Sequence, residues 1–135
     1  MSKLLQRLAD AKRSGVYRAS QPGAIIEAAK GGALDVVEVD LRAGVFESLA
    51  HALAFPDWFG RNWDALEDCL GDLSWRGDAG RVLVLSHSPG GGELRALIDV
   101  LDSVAQYWAA REKGFFAVFI DPAQRLKLPD LYRGA

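Results

Sequence analysis

RVLVLSHSPGGGELRALIDVLDSVAQYWAAREKGFFAVFID, residues 81–121, sets two apolar runs on either side of a long amphipathic segment. RVLVLSH (81–87) and FFAVFID (115–121) are nearly continuous runs of β-branched, aliphatic and aromatic residues, the pattern of strands covered on both faces. Between them, ELRALIDVLDSVAQYWAAREK (93–113) repeats its apolar residues at helical spacing and meets a stop at Gly114. Strand, helix and strand in this order predict a parallel pair joined by a helical crossover.

The preceding residues extend the same alternation. VVEVDLR (36–42) alternates apolar and polar residues as a strand does, and VFESLAHALA (45–54) reads as a helix closed by Pro56. A second helix starts near Asn62. Residues 36–121 therefore predict an α/β fold with a small three-stranded parallel sheet packed with helices. Residues 1–33 form an N-terminal helix/strand extension to a main domain at 34–135. In it, Leu4, Leu5, Leu8 and Ala11 recur at helical spacing, with Ser2 available as N-cap and Gly15 as a stop. VYRAS (16–20) is extended and AIIEAAK (24–30) a short helix, so the extension either decorates the sheet or adds one strand to it.

A chain of 135 residues, half of them hydrophobic and a quarter charged, is the size of one domain with its own core. The net charge of −2 names no partner, but it is unevenly spread: residues 1–34 carry six basic and two acidic side chains, the rest ten and sixteen. The single cysteine, Cys69, excludes an internal disulfide and suits a reducing compartment. MSKLLQRLADAKRSG interleaves charges with leucines and lacks the apolar block of a secretion signal, and no apolar run reaches the ~18 residues of a membrane span. A cytoplasmic protein with no membrane association is the expectation.

FPDWFGRNWDALEDCLGDL (55–73) carries five acids and one arginine. On a helix over 62–73, Trp63, Leu66, Leu70 and Leu73 share one side with Cys69 at its margin, and Asp64, Glu67, Asp68 and Asp72 occupy the other. Asn62 is a good N-cap, and Asp64 in the first turn gains from the helix dipole. Asp68 follows Asp64 by four residues and Asp72 follows Asp68 by four, a spacing at which like charges repel. Arg61 stands three residues before Asp64 and Arg76 four after Asp72, whereas no cation lies at helical reach of Asp68. With Trp58 and Phe59 on the preceding loop and Trp75 after the helix, a carboxylate ridge beside aromatic anchors is the chemistry of an interface with a basic protein.

These residues resemble the signature of the barstar family, the intracellular inhibitors of barnase-type ribonucleases. Pro56, Trp58, Phe59, Gly60, Asn62, Asp64, Ala65, Leu66, Asp68, Cys69 and Leu70 stand where the family's inhibitory loop and second helix want them. The resemblance implies a partner-binding set of Trp58, Phe59, Gly60, Asn62, Asp64, Glu67 and Asp68. Asp68 would take the place of an RNA phosphate in the ribonuclease active site, Asp64 would flank it, Trp58 would pack on the catalytic histidine, and Gly60 and Asn62 would shape the loop. The implied partner is a basic secreted ribonuclease of barnase type or a related toxin, bound by a monomer without cofactor or metal and without catalysis. Arg61, Glu67 and Ala109 depart from the family's best-known member, which carries an acid, a tryptophan and a glutamate at those positions. A binding module of the same family with a different protein partner is the alternative.

Other signals carry less. Pro89–Gly92 joins a strand to a helix but fits neither phosphate-loop spacing. His51, His87 and Cys69 have no metal-ligand spacing, and a cysteine inside a helix is a poor nucleophile candidate. Lys3, Arg7, Lys12, Arg13 and Arg18 offer two further readings: an RNA-binding regulator, the most distant alternative, or a leader that folds across the acidic face and competes with the partner.

Overall fold

Strand β3 (Arg81–Ser86) and strand β4 (Phe115–Ile120) lie side by side and parallel, with Leu83 opposite Ala117 and Leu85 opposite Phe119. They are the central strands of the sheet in this computed structural model, which describes residues 3–132. Their alternate residues enter two different cores. Val82, Val84, Phe116 and Val118 pack with Leu4, Leu8, Ile25 and Ala29. Leu83, Leu85, Phe115, Ala117 and Phe119 pack with Leu49, Leu66, Leu70, Leu97, Leu101 and Val104. Burial on both sides explains why these strands read as continuous apolar runs rather than as alternating ones.

The remaining elements follow from this frame. Strand β2 (Asp35–Asp40) pairs in parallel with β3, its partly polar face belonging to a sheet edge. Helices α3 (Val45–Ala52), α4 (Trp63–Asp72) and α5 (Gly91–Ala109) cover one face. Helices α1 (Lys3–Leu8) and α2 (Gly23–Gly31) cover the other. The Ser2 N-cap expected for α1 lies outside the described residues. The α5 helix ends at Ala109, four residues before the predicted end, and Lys113 N–H closes the chain back on the Trp108 carbonyl at 3.0 Å.

The sheet has four strands, not three. Strand β1 (Gly15–Ala19) lies parallel to β4, from Gly15 opposite Phe116 to Ala19 opposite Ile120, giving the order β1-β4-β3-β2. The physical reason is the outer edge of β4. A strand that apolar on both faces would leave a buried row of unpaired backbone groups, and β1 satisfies them. Ser14 anchors the junction: its hydroxyl donates to the Ala11 carbonyl at 2.7 Å and accepts the Phe115 N–H at 2.9 Å. Two leader cations are tied into the fold as well. Arg7 donates to the Leu131 carbonyl, and Arg18 donates to Asp130 and to the Leu126 carbonyl.

A partly buried charge cluster closes the opposite edge. Asp35 opens β2 and accepts hydrogen bonds from Arg76 at 3.0 Å and from Arg81, whose side chain is 6% exposed. Arg81 also donates to the Gly77 carbonyl at 2.6 Å. Burial pulls the Asp35 carboxyl up, but the hydrogen bonds and charges of the two arginines outweigh it and hold the pKa below the usual carboxylate value.

Candidate protein-binding site

Asn62 sets the start of α4. Its backbone is extended, and its side-chain oxygen accepts the Ala65 N–H at 2.8 Å, a regular N-cap. Its amide also donates to the Gly60 carbonyl at 3.3 Å, which folds the loop onto the cap. A Cβ on Gly60 would stand 3.3 Å from that amide nitrogen, so this close approach favours glycine. From the cap onward, Leu66, Cys69 and Leu70 are buried, Leu73 follows in a left-handed cap, and Trp63 lies edge-on to Phe46 with ring centroids 4.8 Å apart. That anchoring turns Asp64, Glu67, Asp68 and Asp72 outward, and all four are exposed.

The two flanking arginines do not neutralise this ridge, contrary to their spacing in sequence. Arg61 has a left-handed backbone (φ 49°) and pairs with Glu47 on α3, lowering the Glu47 carboxyl below its usual pKa. Arg76 turns to Asp35. Local spacing loses because a carboxylate on another element offers both arginines two-oxygen geometry. Among the described residues, Asp64, Glu67, Asp68 and Asp72 take part in no ion pair. The Cys69 thiol registers the ridge from beneath: burial, then the charges of Asp68 and Asp72, raise its pKa and keep it an inert thiol.

The loop aromatics divide. Trp58 is 65% exposed and Phe59 only 6%. Phe59 packs edge-on against Phe55 and Phe46, with centroids 4.9 and 6.3 Å away, and Phe55 does the same with Trp75 at 6.2 Å. Trp75 is fixed in turn by its indole N–H, which donates to the Leu53 carbonyl at 2.9 Å. A ladder of rings thus underlies the loop, with Phe59 inside it and Trp58 presented to solvent. Of the seven residues singled out by sequence, Phe59 is the one whose side chain the fold places in the core.

One part of the face was not legible beforehand. Helix α5 lies against α4 through the Trp108 indole, which donates to the Leu70 carbonyl at 2.9 Å. Its neighbour Tyr107 is 41% exposed and borders a depression of about 220 Å³ together with Glu67, Asp68, Gly71, Ser103 and Val104. The four-residue spacing of Ser103 and Tyr107 was the available signal, masked by the apolar residues around them. Ala109 is half-buried in the last turn of α5, and Glu112 lies beyond the helix with a left-handed backbone (φ 61°).

Among the described residues, the leader does not cross the acidic face. Helices α1 and α2 pack on the opposite side of the sheet, where Leu4, Leu8, Ile25 and Ala29 find the inward faces of β3 and β4. The histidine at the end of β3 is likewise engaged elsewhere: His87 Nδ1 lies 3.0 Å from Asp40 Oδ1. Hydrogen bonds from Arg42 hold the Asp40 carboxyl at about 2. Among the described residues no group of three or more His, Cys, Asp or Glu side chains could hold a metal ion, and no helix is long and apolar enough to cross a membrane.

A carboxylate ridge in no ion pair among the described residues thus stands on a capped helix, flanked by an outward tryptophan and mounted on a parallel α/β sandwich. A family model described as Barstar (barnase inhibitor) matches residues 33–120, and the chain belongs to the barstar family. No curated protein and no solved structure matches it.

Proposed function

We propose that this protein is an intracellular, cytoplasmic inhibitor that binds a basic ribonuclease of barnase type, or a related toxin, and closes its active site. It acts as a stoichiometric protein ligand and not as an enzyme, needs no cofactor, and works as a monomer. The observation that carries the reading is the ridge of Asp64, Glu67, Asp68 and Asp72, which the fold leaves without cationic partners among the described residues although two arginines stand within reach in sequence. An enzyme that holds RNA phosphate must present arginine, lysine or histidine at its centre. Carboxylates at the pitch of a helix turn offer those groups a substitute for the phosphate backbone. Asp68 is the phosphate mimic, Asp64 its flanking contact, and Trp58 the aromatic anchor. Gly60, Asn62 and the buried Phe59 hold the loop in place.

Titration of a barnase-type ribonuclease with the protein tests this. Activity should fall linearly to zero at one equivalent. A folded sample that leaves the ribonuclease fully active at several equivalents would refute the reading. A second reading, a different basic protein as partner, is favoured by Arg61, Glu67 and Ala109, which change the charge and shape of the rim. RNA binding through the leader is disfavoured because Arg7 and Arg18 are committed to the tail of the chain and Arg13 lies 3.5 Å from Asp10.

A further inference from the structure

We propose that the cleft between α1, β1 and the C-terminal tail binds a small organic phosphate monoester, of the size and chemistry of a nucleoside monophosphate. The residues that border it all lie outside 33–120, the stretch shared with the family, and apart from the acidic face. The inference therefore stands whether or not the partner of that face is a ribonuclease.

Leader and tail build the walls together. Arg18 N–H donates to the Pro129 carbonyl and Leu131 N–H to the Arg18 carbonyl, both at 2.9 Å, and the Arg7 side chain donates to the Leu131 carbonyl at 2.6 Å. These bonds border a cleft of about 680 Å³, within the ~300–1,000 Å³ of small-molecule sites. Lys3, Arg7 and Arg18 line it from the leader, and Leu128, Asp130 and Tyr132 from the tail.

The charges point to a dianion. Arg18 is neutralised by Asp130 at 2.8 Å. Lys3 and Arg7 take part in no ion pair among the described residues, and the Leu131 carbonyl that holds Arg7 carries no charge. Two uncompensated cations four residues apart on α1 match the charge of about −1.5 to −2 on a phosphate monoester near neutrality. The guanidinium nitrogens of Arg7 that do not hold Leu131 can donate to its oxygens.

The remaining walls suit an organic body. Leu4, Leu128 and Pro129 offer apolar surface, and the half-buried Tyr132 offers a ring on which a flat group can stack. A longer nucleic acid fits less well, because it needs a row of free cations. Arg13, which borders the adjoining depression with Lys3 and Arg7, is held 3.5 Å from Asp10.

Adenosine 5′-monophosphate, titrated into the full chain, tests the site. At millimolar concentration it should shift the backbone amide resonances of Arg7, Leu131 and Tyr132 saturably and leave that of Asp68 unmoved. Lys3 is exposed and in no ion pair among the described residues, so Lys3→Gln should keep the fold and weaken the nucleotide about tenfold. Adenosine should not bind, and inorganic phosphate should bind more weakly than the nucleotide. Absence of saturation, or an affinity unchanged in Lys3→Gln, would overturn the site. Inorganic phosphate as tight as the nucleotide would overturn the organic body, and adenosine as tight would overturn the phosphate.

Discussion

Arg61 points away from the acidic face of α4 and forms a two-oxygen ion pair with Glu47 of α3. The pairing keeps the only arginine of the 55–73 segment from screening Asp64, and under the proposed function it governs how a basic partner perceives this face. Glu47→Gln should release Arg61 toward the ridge and slow association with the ribonuclease severalfold at low salt, with little difference at high salt. Arg61→Ala should speed association. Stopped-flow mixing over a range of ionic strengths measures both, and unchanged rates would show that the pair has no part in recognition.

Trp58 and Phe59 are neighbours with opposite surroundings, and truncation should separate their roles. Trp58→Ala should change stability by no more than about 0.5 kcal/mol, because the ring is mostly in solvent, and should weaken binding by about 2 kcal/mol or more. Phe59→Ala removes a rung of the ring ladder and should lower stability by about 3–5 kcal/mol. Urea unfolding and calorimetric titration report the two quantities independently.

Asn62→Ala should cost about 1 kcal/mol of stability through loss of the cap on the Ala65 N–H. It should also weaken binding, since the Asn62 amide holds the Gly60 carbonyl and with it the loop. A variant with unchanged denaturant midpoint would mean that the cap is not used in solution.

Asp35 links stability to pH. Its folded pKa lies below the unfolded value of ~3.9. Its contribution is therefore complete above that value and is lost as pH falls through the folded pKa. Asp35→Asn leaves Arg81 buried without its carboxylate and should destabilise by about 3 kcal/mol near neutrality. The gap between variant and native protein should narrow progressively below about pH 4. Urea midpoints at several pH values measure it, and a gap independent of pH would contradict the cluster's role.

The sequence is most informative where the physics is local. The doubly buried strands at 81–86 and 115–120 announce themselves as unbroken apolar runs, and the N-cap at Asn62 and the two faces of α4 follow from helix periodicity. What was not legible depends on distant partners. Strand β1 has only five residues, interrupted by Arg18, and becomes a strand because β4 needs an edge partner more than a hundred positions along the chain. Arg61 and Arg76 look like neighbours of the ridge until carboxylates 14 and 41 positions away claim them. In the 56–62 loop no periodicity tells which of two adjacent aromatics turns inward.

Asp68→Ala, set beside Asp72→Ala and titrated against the same ribonuclease, tests the phosphate-mimic claim most directly. Both remove one exposed carboxylate from the same helix. Asp68→Ala should weaken binding by about 2–5 kcal/mol, the range for truncating one side of a desolvated charge pair, and Asp72→Ala by less than about 1 kcal/mol. Equal, small losses in the two variants would contradict the account, because the ridge would then act as a diffuse negative surface with no carboxylate in the place of a phosphate.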